Sequence, residues 1–301
     1  MNSACQTEGM SKQVRFYLAM GTHTLLAAGT YLLGKVATTH FPVLVLGLFR
    51  FTVAASVFLL LANLRHYKLA QVFRADRRSF LLAGFLGVLL NQVGFLWGLK
   101  LTLPSHAALL YALTPTVVLL LAWLRGLERP SYRKVAGILL AFSGVVVLFY
   151  GRHGKLLPPH WIAGDLLVLV AVGAWAGYTV VSRPLVLRHG AERTTALSIL
   201  VGSAMFLPFG LLGLPQFHPA AIPLIGWVGA LYLGLVASVV MYLLWFYALR
   251  LREPSRVAIA ANGQPILTAA LAWLFLAQPI TPQFGVGTLL VIAGVVLTQV
   301  G

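Results

Sequence analysis

The sequence contains few charged residues and very few acidic ones. Only 9% of its 301 residues are charged and only six are Asp or Glu, whereas a typical soluble domain has about 25% charged residues. This composition excludes an ordinary soluble globular protein, because too few polar groups are available to cover a surface in water. Hydrophobic residues make up 59% of the chain, and we expect most of its surface to face lipid.

Cysteine is nearly absent, and so are the common catalytic and metal-binding motifs. Cys5 is the only cysteine, which excludes an internal disulfide. The motifs His-Glu-x-x-His, Gly-x-Ser-x-Gly and Cys-x-x-Cys do not occur. The acidic residues lie in tails, loops or helix ends, at Glu8, Asp76, Glu128, Asp165, Glu192 and Glu253. They do not cluster as metal-assisted chemistry requires, so we predict no catalytic residue, metal or cofactor and keep an intramembrane enzyme as an alternative.

Long apolar stretches take up most of the sequence. Because the hydrocarbon core of a bilayer is about 30 Å thick and a helix rises about 1.5 Å per residue, each crossing needs about 20 mostly apolar residues. The stretches are continuously apolar and do not alternate, which favours helices over a β-barrel. Ten of them lie at 16–36, 42–62, 79–99, 104–124, 133–150, 163–182, 194–213, 223–248, 254–276 and 283–300. We therefore predict an all-α transmembrane fold of ten helices.

The formal net charge of +16 is unevenly distributed among the loops. With the N-terminus taken as cytoplasmic, 17 of the 22 Lys and Arg residues fall in segments on the inner side. The outer loops contain only Lys100, Arg152 and Lys155. This positive-inside pattern predicts an inner (plasma) membrane protein with both termini in the cytoplasm. It also accounts for the positive charge, so we predict that the protein does not bind nucleic acid and is embedded in the lipid bilayer.

The second half of the chain repeats part of the first. Residues 97–148 align with residues 247–298 at a constant offset of 150, and sixteen of the fifty-two positions are identical. Because five helices form an odd number, the second copy would enter the membrane from the opposite side. The predicted organisation is a cytoplasmic N-terminal tail (1–15), a first five-helix repeat (16–150), an external linker (151–162) and an inverted second five-helix repeat (163–301).

Inverted repeats of this kind favour transport as the function. Two antiparallel copies of one bundle can exchange conformations and open a central site to either side of the membrane in turn. A duplication that serves only structural symmetry is the alternative, and the protein would then be a non-transporting membrane partner. The sequence therefore predicts a secondary membrane transporter of a small-molecule substrate, and it leaves the oligomeric state open.

Several motifs connect this plan with a known family. They are Gly34-Lys35 at the end of helix one, Arg50 in Leu48-Phe49-Arg50-Phe51, and a Pro-Ser pair followed by a second Pro eleven residues after the first in helices four and nine. With its two sets of five helices, the chain resembles the drug/metabolite transporter superfamily, and within it the EamA-type ten-helix exporters. The resemblance implies export of amino acids and other small polar metabolites through a pore between the two halves. One departure is that the glutamates which often end helices four and nine are Glu128 and Gln278 here.

Polar and aromatic residues within the predicted spans are the candidates for lining the pore. The candidates are Thr30, Tyr31, Arg50, Asn91, Gln92, Tyr111, Trp175, Tyr178, Asn262 and Gln264. Trp175 and Tyr178 are too bulky for simple close packing of helices, and aromatic walls with a few polar groups are typical of small-molecule sites. Asn91 and Gln92 must face protein or water, since an amide facing lipid is costly. Hydrogen bonding between helices is the alternative explanation for the two amides.

Arg50, His23 and two prolines have more specific predicted roles. A charge at the centre of a membrane helix costs about 2.5–3.5 kcal/mol, so we predict that Arg50 either contacts a substrate carboxylate or holds carbonyls at a helix end. Lys35, near a helix end, can snorkel to the surface. Pro115 and Pro265 are predicted to kink helices four and nine around the cavity, with a merely tolerated proline as the alternative. His23 is the candidate for proton coupling, because no carboxylate lies in the middle of a predicted span; a hydrogen-bonded histidine without that role is the alternative.

Overall fold

A computed structural model of the chain describes residues 11–124, 131–150, 158–278 and 280–300. All regular secondary structure in these ranges is helical, and no strand occurs in them. The prediction of an all-α protein is therefore confirmed for this part of the chain. Residues 1–10 of the predicted tail, Glu128 and residues 151–157 of the predicted linker lie outside the described residues.

Fifteen α-helices follow one another along the described chain. They are α1 (Lys12–His40), α2 (Val43–Leu64), α3 (Leu69–Ala75), α4 (Arg77–Gly84), α5 (Asn91–Leu101), α6 (Pro104–Tyr111), α7 (Thr114–Leu124), α8 (Tyr132–Tyr150), α9 (Trp161–His189), α10 (Ala191–Leu212), α11 (Leu224–Leu231), α12 (Met241–Leu251), α13 (Pro254–Ala260), α14 (Gln264–Leu276) and α15 (Pro282–Val300). Two π-helical segments, Phe85–Leu90 and Tyr232–Val240, continue α4 into α5 and α11 into α12. Each of these two pairs is thus one long helix with wider turns inside it.

Seven helical runs among the described residues are long and apolar enough to cross a membrane. They are Val43–Leu64, Arg77–Leu101, Pro104–Leu121, Trp161–His189, Ala191–Leu212, Leu224–Leu251 and Pro254–Leu276. A chain with several such runs is a multi-pass membrane protein. The helices α1, α8 and α15 lie where the sequence predicts three further spans, and the total of ten stays a prediction.

The predicted fourth span is divided into α6 and α7 by a turn at residues 112–113, just before Pro115. Proline lacks an amide hydrogen, and its ring collides with the carbonyl four residues earlier, which is that of Tyr111. The Thr114 hydroxyl donates to this carbonyl at 2.6 Å. The predicted ninth span is divided in the same way, into α13 and α14, before Pro265. Each of these spans is therefore two helices joined by a turn just before the proline at which the sequence analysis predicted a kink.

Small residues let α5 approach α9 closely. A Cβ added at Gly94 would lie 2.7 Å from the carbonyl oxygen of Leu167 and 3.2 Å from the Cβ of Ala171. A Cβ added at Gly98 would lie 2.8 Å from the carbonyl oxygen of Gly164. Membrane helices come this near only where small residues face each other. The contact fixes α5, and with it the polar residues of its first turn, against α9.

The ammonium group of Lys35 closes the end of α5. Its Nζ donates to the carbonyl oxygens of Leu99 at 3.0 Å, Lys100 at 2.9 Å and Thr102 at 2.7 Å. The last turn of a helix leaves such carbonyls without an intrahelical partner, and a cation there interacts favourably with the helix dipole. The sequence analysis expected Lys35 to snorkel toward the surface, and its ammonium group caps the end of the neighbouring helix α5.

Asp165 joins the start of α9 to the segment between α5 and α6. It is fully buried, accepts a hydrogen bond from the Thr102 hydroxyl, and its Oδ2 lies 2.9 Å from Nδ1 of His106. Its position at a helix end agrees with the sequence analysis. The buried pair with His106 was not predicted, because 59 residues separate the two side chains and no local pattern connects them.

Candidate functional site

A cavity of about 80 Å³ lies inside the bundle and is bounded by helices from both halves of the chain. Its wall consists of His23, Ala27, Thr30, Tyr31, Arg50, Asn91, Gln92, Phe95, Tyr111, Thr114, Trp175, Ala237, Met241, Tyr242, Trp245, Ala258, Ala261 and Gln264. The members singled out from the sequence are His23, Thr30, Tyr31, Arg50, Asn91, Gln92, Tyr111, Trp175 and Gln264. The residues of this wall include one guanidinium, neutral amides, hydroxyls and aromatic rings, and none of them is a carboxylate.

Arg50 is the charged group of this wall. The side chain is only 3% exposed. Its Nε donates to the Ser238 hydroxyl at 2.5 Å and its Nη1 donates to Oε1 of Gln92 at 2.7 Å. The expectation that Arg50 holds carbonyls at a helix end is wrong, since both partners are side chains and Arg50 lies within α2. A buried cation whose partners are neutral is costly unless an anion compensates it, so this position attracts a negatively charged group.

The two adjacent amides extend the hydrogen-bond network across the bundle. Gln92 Nε2 donates to Asn91 Oδ1 at 2.6 Å and to the Tyr242 hydroxyl at 3.2 Å. Asn91 Nδ2 donates to the Tyr111 hydroxyl at 2.7 Å and to the carbonyl oxygen of Ala171 at 2.8 Å. The amides therefore both hold helices together and line the cavity. Lining the cavity and hydrogen bonding between helices, the two explanations that the sequence left open, therefore apply to the same two side chains.

A second polar contact connects α1 with α14. The Tyr31 hydroxyl donates to Oε1 of Gln264 at 3.2 Å, and both side chains are buried. The Tyr31 ring meets Phe95 edge-on at 5.8 Å and Tyr111 edge-on at 6.0 Å between centroids. Edge-to-face aromatic pairs of this separation are favourable. This side of the cavity is thus a rigid aromatic surface with one amide in it.

The opposite side of the cavity is built around two tryptophans. The Trp175 ring lies 5.2 Å from Tyr242 and 5.4 Å from Trp245, and the His23 ring lies 5.2 Å from Trp245, all between centroids. The His23 Nδ1 and Trp245 Nε1 atoms are buried and have no hydrogen-bond partner among the described residues. The wall therefore offers indole and imidazole groups able to bond a polar solute.

Four residues predicted for the pore region do not line the cavity. Tyr178 is fully buried behind Trp175, with 5.3 Å between their ring centroids. Asn262 lies in the turn before α14, and Pro115 and Pro265 lie outside the wall. One step along a helix turns the side chain by about 100°, which separates Pro115 from Thr114 and Pro265 from Gln264 in the wall. Tyr178 shares a helix face with Trp175 but lies about one turn further along α9.

Three wall residues of α12 were missed by the sequence analysis, namely Met241, Tyr242 and Trp245. A signal for them exists in the repeat. Carried a few residues upstream, the offset of 150 pairs Gln92 with Tyr242. It also pairs Phe95 with Trp245. Gln92 and Phe95 of α5 therefore have wall-forming counterparts in α12, and in both cases the counterpart is aromatic.

The chemistry of the wall is suited to binding a small solute. Among the described residues, no group of three or more His, Cys, Asp or Glu side chains is placed to hold a metal ion. The guanidinium can accept an anion in its fork of N–H donors, and the aromatic rings can cover an apolar or cationic part of a solute. A small amphiphilic molecule with an acidic group matches this arrangement.

Comparisons with known proteins show which family and which relatives the chain resembles. The sequence model of the EamA-like transporter family matches residues 15–150 and again residues 162–300. An uncharacterized transporter of Archaeoglobus fulgidus is 28% identical over 289 residues, which is 92% of this chain and 96% of that protein. The uncharacterized transporter YetK of Bacillus subtilis is 25% identical over 97% of this chain and 88% of its own length.

A further relative has a more specific name. A protein of Streptantibioticus cattleyicolor named "Probable terminal-alkyne amino-acid exporter" is 30% identical over 225 residues, which is 74% of this chain and 73% of that protein. One solved crystal structure shares the fold with a TM-score of 0.67 and 24% identity, over 95% of this chain and 97% of that one. The two family matches together cover nearly the whole chain. The chain therefore belongs to the EamA-like transporter family, a family of membrane transporters and not of enzymes.

Proposed function

We propose that the protein exports a small polar metabolite of the amino-acid class across the inner membrane, with the central cavity as the substrate site. The observation that carries this proposal is the buried Arg50, whose hydrogen-bond partners Ser238 and Gln92 are both neutral. A guanidinium has five N–H donors, so donors remain for a carboxylate after these two bonds. The carboxylate of an amino acid would neutralise the buried charge.

The rest of such a substrate fits the remaining wall. An ammonium group finds no carboxylate there, but the faces of Trp175 and Trp245 can hold a cation through cation–π interaction. The amides and phenols can bond the polar atoms of a side chain. The Streptantibioticus relative named as an amino-acid exporter supports the same substrate class. A substrate with an acidic group is therefore preferred over a purely cationic one.

Alternating access between two inverted five-helix halves is the mechanism that we infer. The halves are residues 16–150 and 163–301, and the same family model matches each of them separately. Equivalent contacts connect the two halves in both directions: α1 packs against α12 and α14, and α9 packs against α5 and α7. The π-helical segments also occupy corresponding places before α5 and α12. With α1, α8 and α15 added to the seven long runs, the halves would have five spans each, and the basic loops would put both termini in the cytoplasm.

Counterflow into liposomes that contain the purified protein and a panel of labelled amino acids tests this proposal. We expect Arg50→Gln to lower the counterflow of carboxylate-bearing solutes roughly thirtyfold, which corresponds to the loss of about 2 kcal/mol of charge-assisted hydrogen bonding. Arg77→Gln, which removes an exposed arginine outside the cavity, is the matched control and should leave counterflow unchanged. Absence of counterflow across the panel with folded wild-type protein would contradict transport of this substrate class.

A further inference from the structure

A second cavity, of about 660 Å³, lies between α2, α10 and α12. It shares no wall residue with the central cavity. We call it the lateral groove. Its α12 wall extends from Val240, just before the helix, to Arg250 in its last turn, which is about 15 Å at 1.5 Å per residue. The lateral groove is therefore a long cleft beside a membrane helix and not a compact pocket.

One part of the lateral groove is apolar. Helix α2 contributes Phe58 and Leu61, and the facing helix contributes Val240, Leu243 and Tyr247. Spacings of three and four residues put each set on a single helix face. Val240 is 41% exposed, so the apolar part is accessible from the side of the bundle. In a membrane protein this side faces hydrocarbon chains, which match such a surface.

The other end of the lateral groove carries positive charge. Arg65, Arg193 and Arg250 lie there, and all three are exposed. Glu192 is the carboxylate among the wall residues, and it accepts a hydrogen bond from the Tyr67 hydroxyl. Burial, together with this bond to Glu192, raises the pKa of the Tyr67 phenol, so the phenol stays protonated as the donor.

The arginines at this end exceed the single carboxylate in number. The Arg193 guanidinium lies 5.2 Å from the centre of the Tyr67 ring, a cation–π distance that holds it beside the groove. Three guanidinium groups against one carboxylate, which is itself hydrogen-bonded, leave an excess of positive charge. Arginine forks bind phosphate oxygens through paired hydrogen bonds. This end of the lateral groove is therefore suited to a phosphate monoanion.

We propose that the lateral groove binds an anionic phospholipid of the bilayer. The phosphate lies among Arg65, Arg193 and Arg250, and an acyl chain lies along the wall formed by Leu61 and Leu243. A soluble phosphate would use the arginines and leave the apolar wall in contact with nothing it prefers. A zwitterionic lipid would use the apolar wall but would bring its own cation to the arginines. Only an anionic lipid matches both ends at once.

The test uses full-length protein in neutral detergent and native mass spectrometry with phosphatidylglycerol and phosphatidylcholine of the same acyl chains. We expect phosphatidylglycerol to be retained at least tenfold more than phosphatidylcholine. The triple substitution Arg65→Gln, Arg193→Gln and Arg250→Gln should abolish this preference, since each arginine near an anionic headgroup contributes about a fivefold factor. Each single substitution should lower retention about fivefold, which keeps the test valid if the triple variant does not fold.

The matched control removes the same charge from elsewhere at the same end of the bundle. Arg74→Gln, Arg77→Gln and Arg78→Gln change three exposed arginines outside the lateral groove and should preserve the preference. Equal losses in the two triple variants would mean general charge attraction and would overturn the proposal.

A second arm separates a lipid from a soluble anion. Leu243→Trp fills the apolar part of the lateral groove and should lower phosphatidylglycerol retention while the arginines remain in place. Millimolar glycerol phosphate should fail to displace phosphatidylglycerol. Full displacement by glycerol phosphate, with no effect of Leu243→Trp, would identify a site for soluble phosphates and refute a lipid site.

Discussion

Replacing Gly94 by Ala perturbs a close approach between α5 and α9, two helices that contribute residues to the cavity wall. The added methyl carbon would lie 2.7 Å from the carbonyl oxygen of Leu167 and 3.2 Å from the Cβ of Ala171. Because comfortable contacts are about 3.5–4.0 Å, α5 and α9 must move apart. Overpacking costs about 1–3 kcal/mol, and exchanging Gly for Ala within a helix returns about 0.5–1 kcal/mol. We therefore expect a net loss of about 1–2 kcal/mol.

Thermal unfolding of the purified protein in detergent measures this loss. A decrease in Tm of about 2–8 °C is expected, at about 2–4 °C per kcal/mol. Gly173→Ala is the matched control on α9, since nothing lies within 4 Å of its added Cβ, and its Tm should stay level or rise slightly. The reasoning is refuted if Gly94→Ala unfolds at or above the wild-type temperature, or if both variants fall equally.

Three further substitutions probe other parts of the molecule. Lys35→Met leaves three carbonyls at the end of α5 without their cation. It should lower the free energy of unfolding by about 2–4 kcal/mol, measured by thermal unfolding. An unchanged Tm would show that the cap is dispensable. Asp165→Asn removes the buried charge beside His106 and should lower stability by about 1–3 kcal/mol, an expectation that a Tm equal to wild type would contradict. Trp175→Phe replaces a ring of the cavity wall by a smaller one and should raise the KM for counterflow about three- to tenfold. Tyr178→Phe, behind the wall, should leave the KM unchanged. Equal effects of the two substitutions would mean that the two rings act as one packing unit.

Hydrophobic length predicted the positions of the helices but not their ends. Helix α2 begins at Val43 and ends at Leu64, close to the predicted 42–62. Helices α1 and α9 run to His40 and His189, several residues past the predicted 36 and 182. Apolar content marks only the length in contact with hydrocarbon, while a helix ends where its backbone hydrogen bonding ends.

The π-helical segments could not be predicted, because they depend on groups distant in the sequence or on local competition for carbonyls. The Gly87 carbonyl in the first segment accepts a hydrogen bond from the Tyr242 hydroxyl at 2.9 Å. In the second segment the Ser238 hydroxyl donates to the carbonyl of Leu233, also at 2.9 Å. Side-chain donors that occupy main-chain carbonyls in this way permit wider turns.

Buried polarity was the useful signal for the site, and aromatic residues gave a weaker one. Arg50, Asn91 and Gln92 stand out in an apolar sequence, since a polar group in lipid must find a partner, and all three line the cavity. Trp245 does not stand out, because an aromatic residue in a membrane helix suits a lipid-facing, interfacial or interior position equally well. The distinction between Trp175 in the wall and Tyr178 behind it depends on helix rotation, which only the packed bundle fixes.

The charges of the wall limit how transport can be coupled. Proton and cation coupling in membrane proteins generally uses embedded carboxylates, and the wall residues include none. His23 is the histidine of the wall, and its Nδ1 has no hydrogen-bond partner among the described residues. A protonated His23 would add a second positive charge to that of Arg50 and would strengthen binding of a carboxylate, while loss of the proton would weaken it. Coupling of such a carrier would therefore depend on the charge of its substrate and not on a carboxylate of its own.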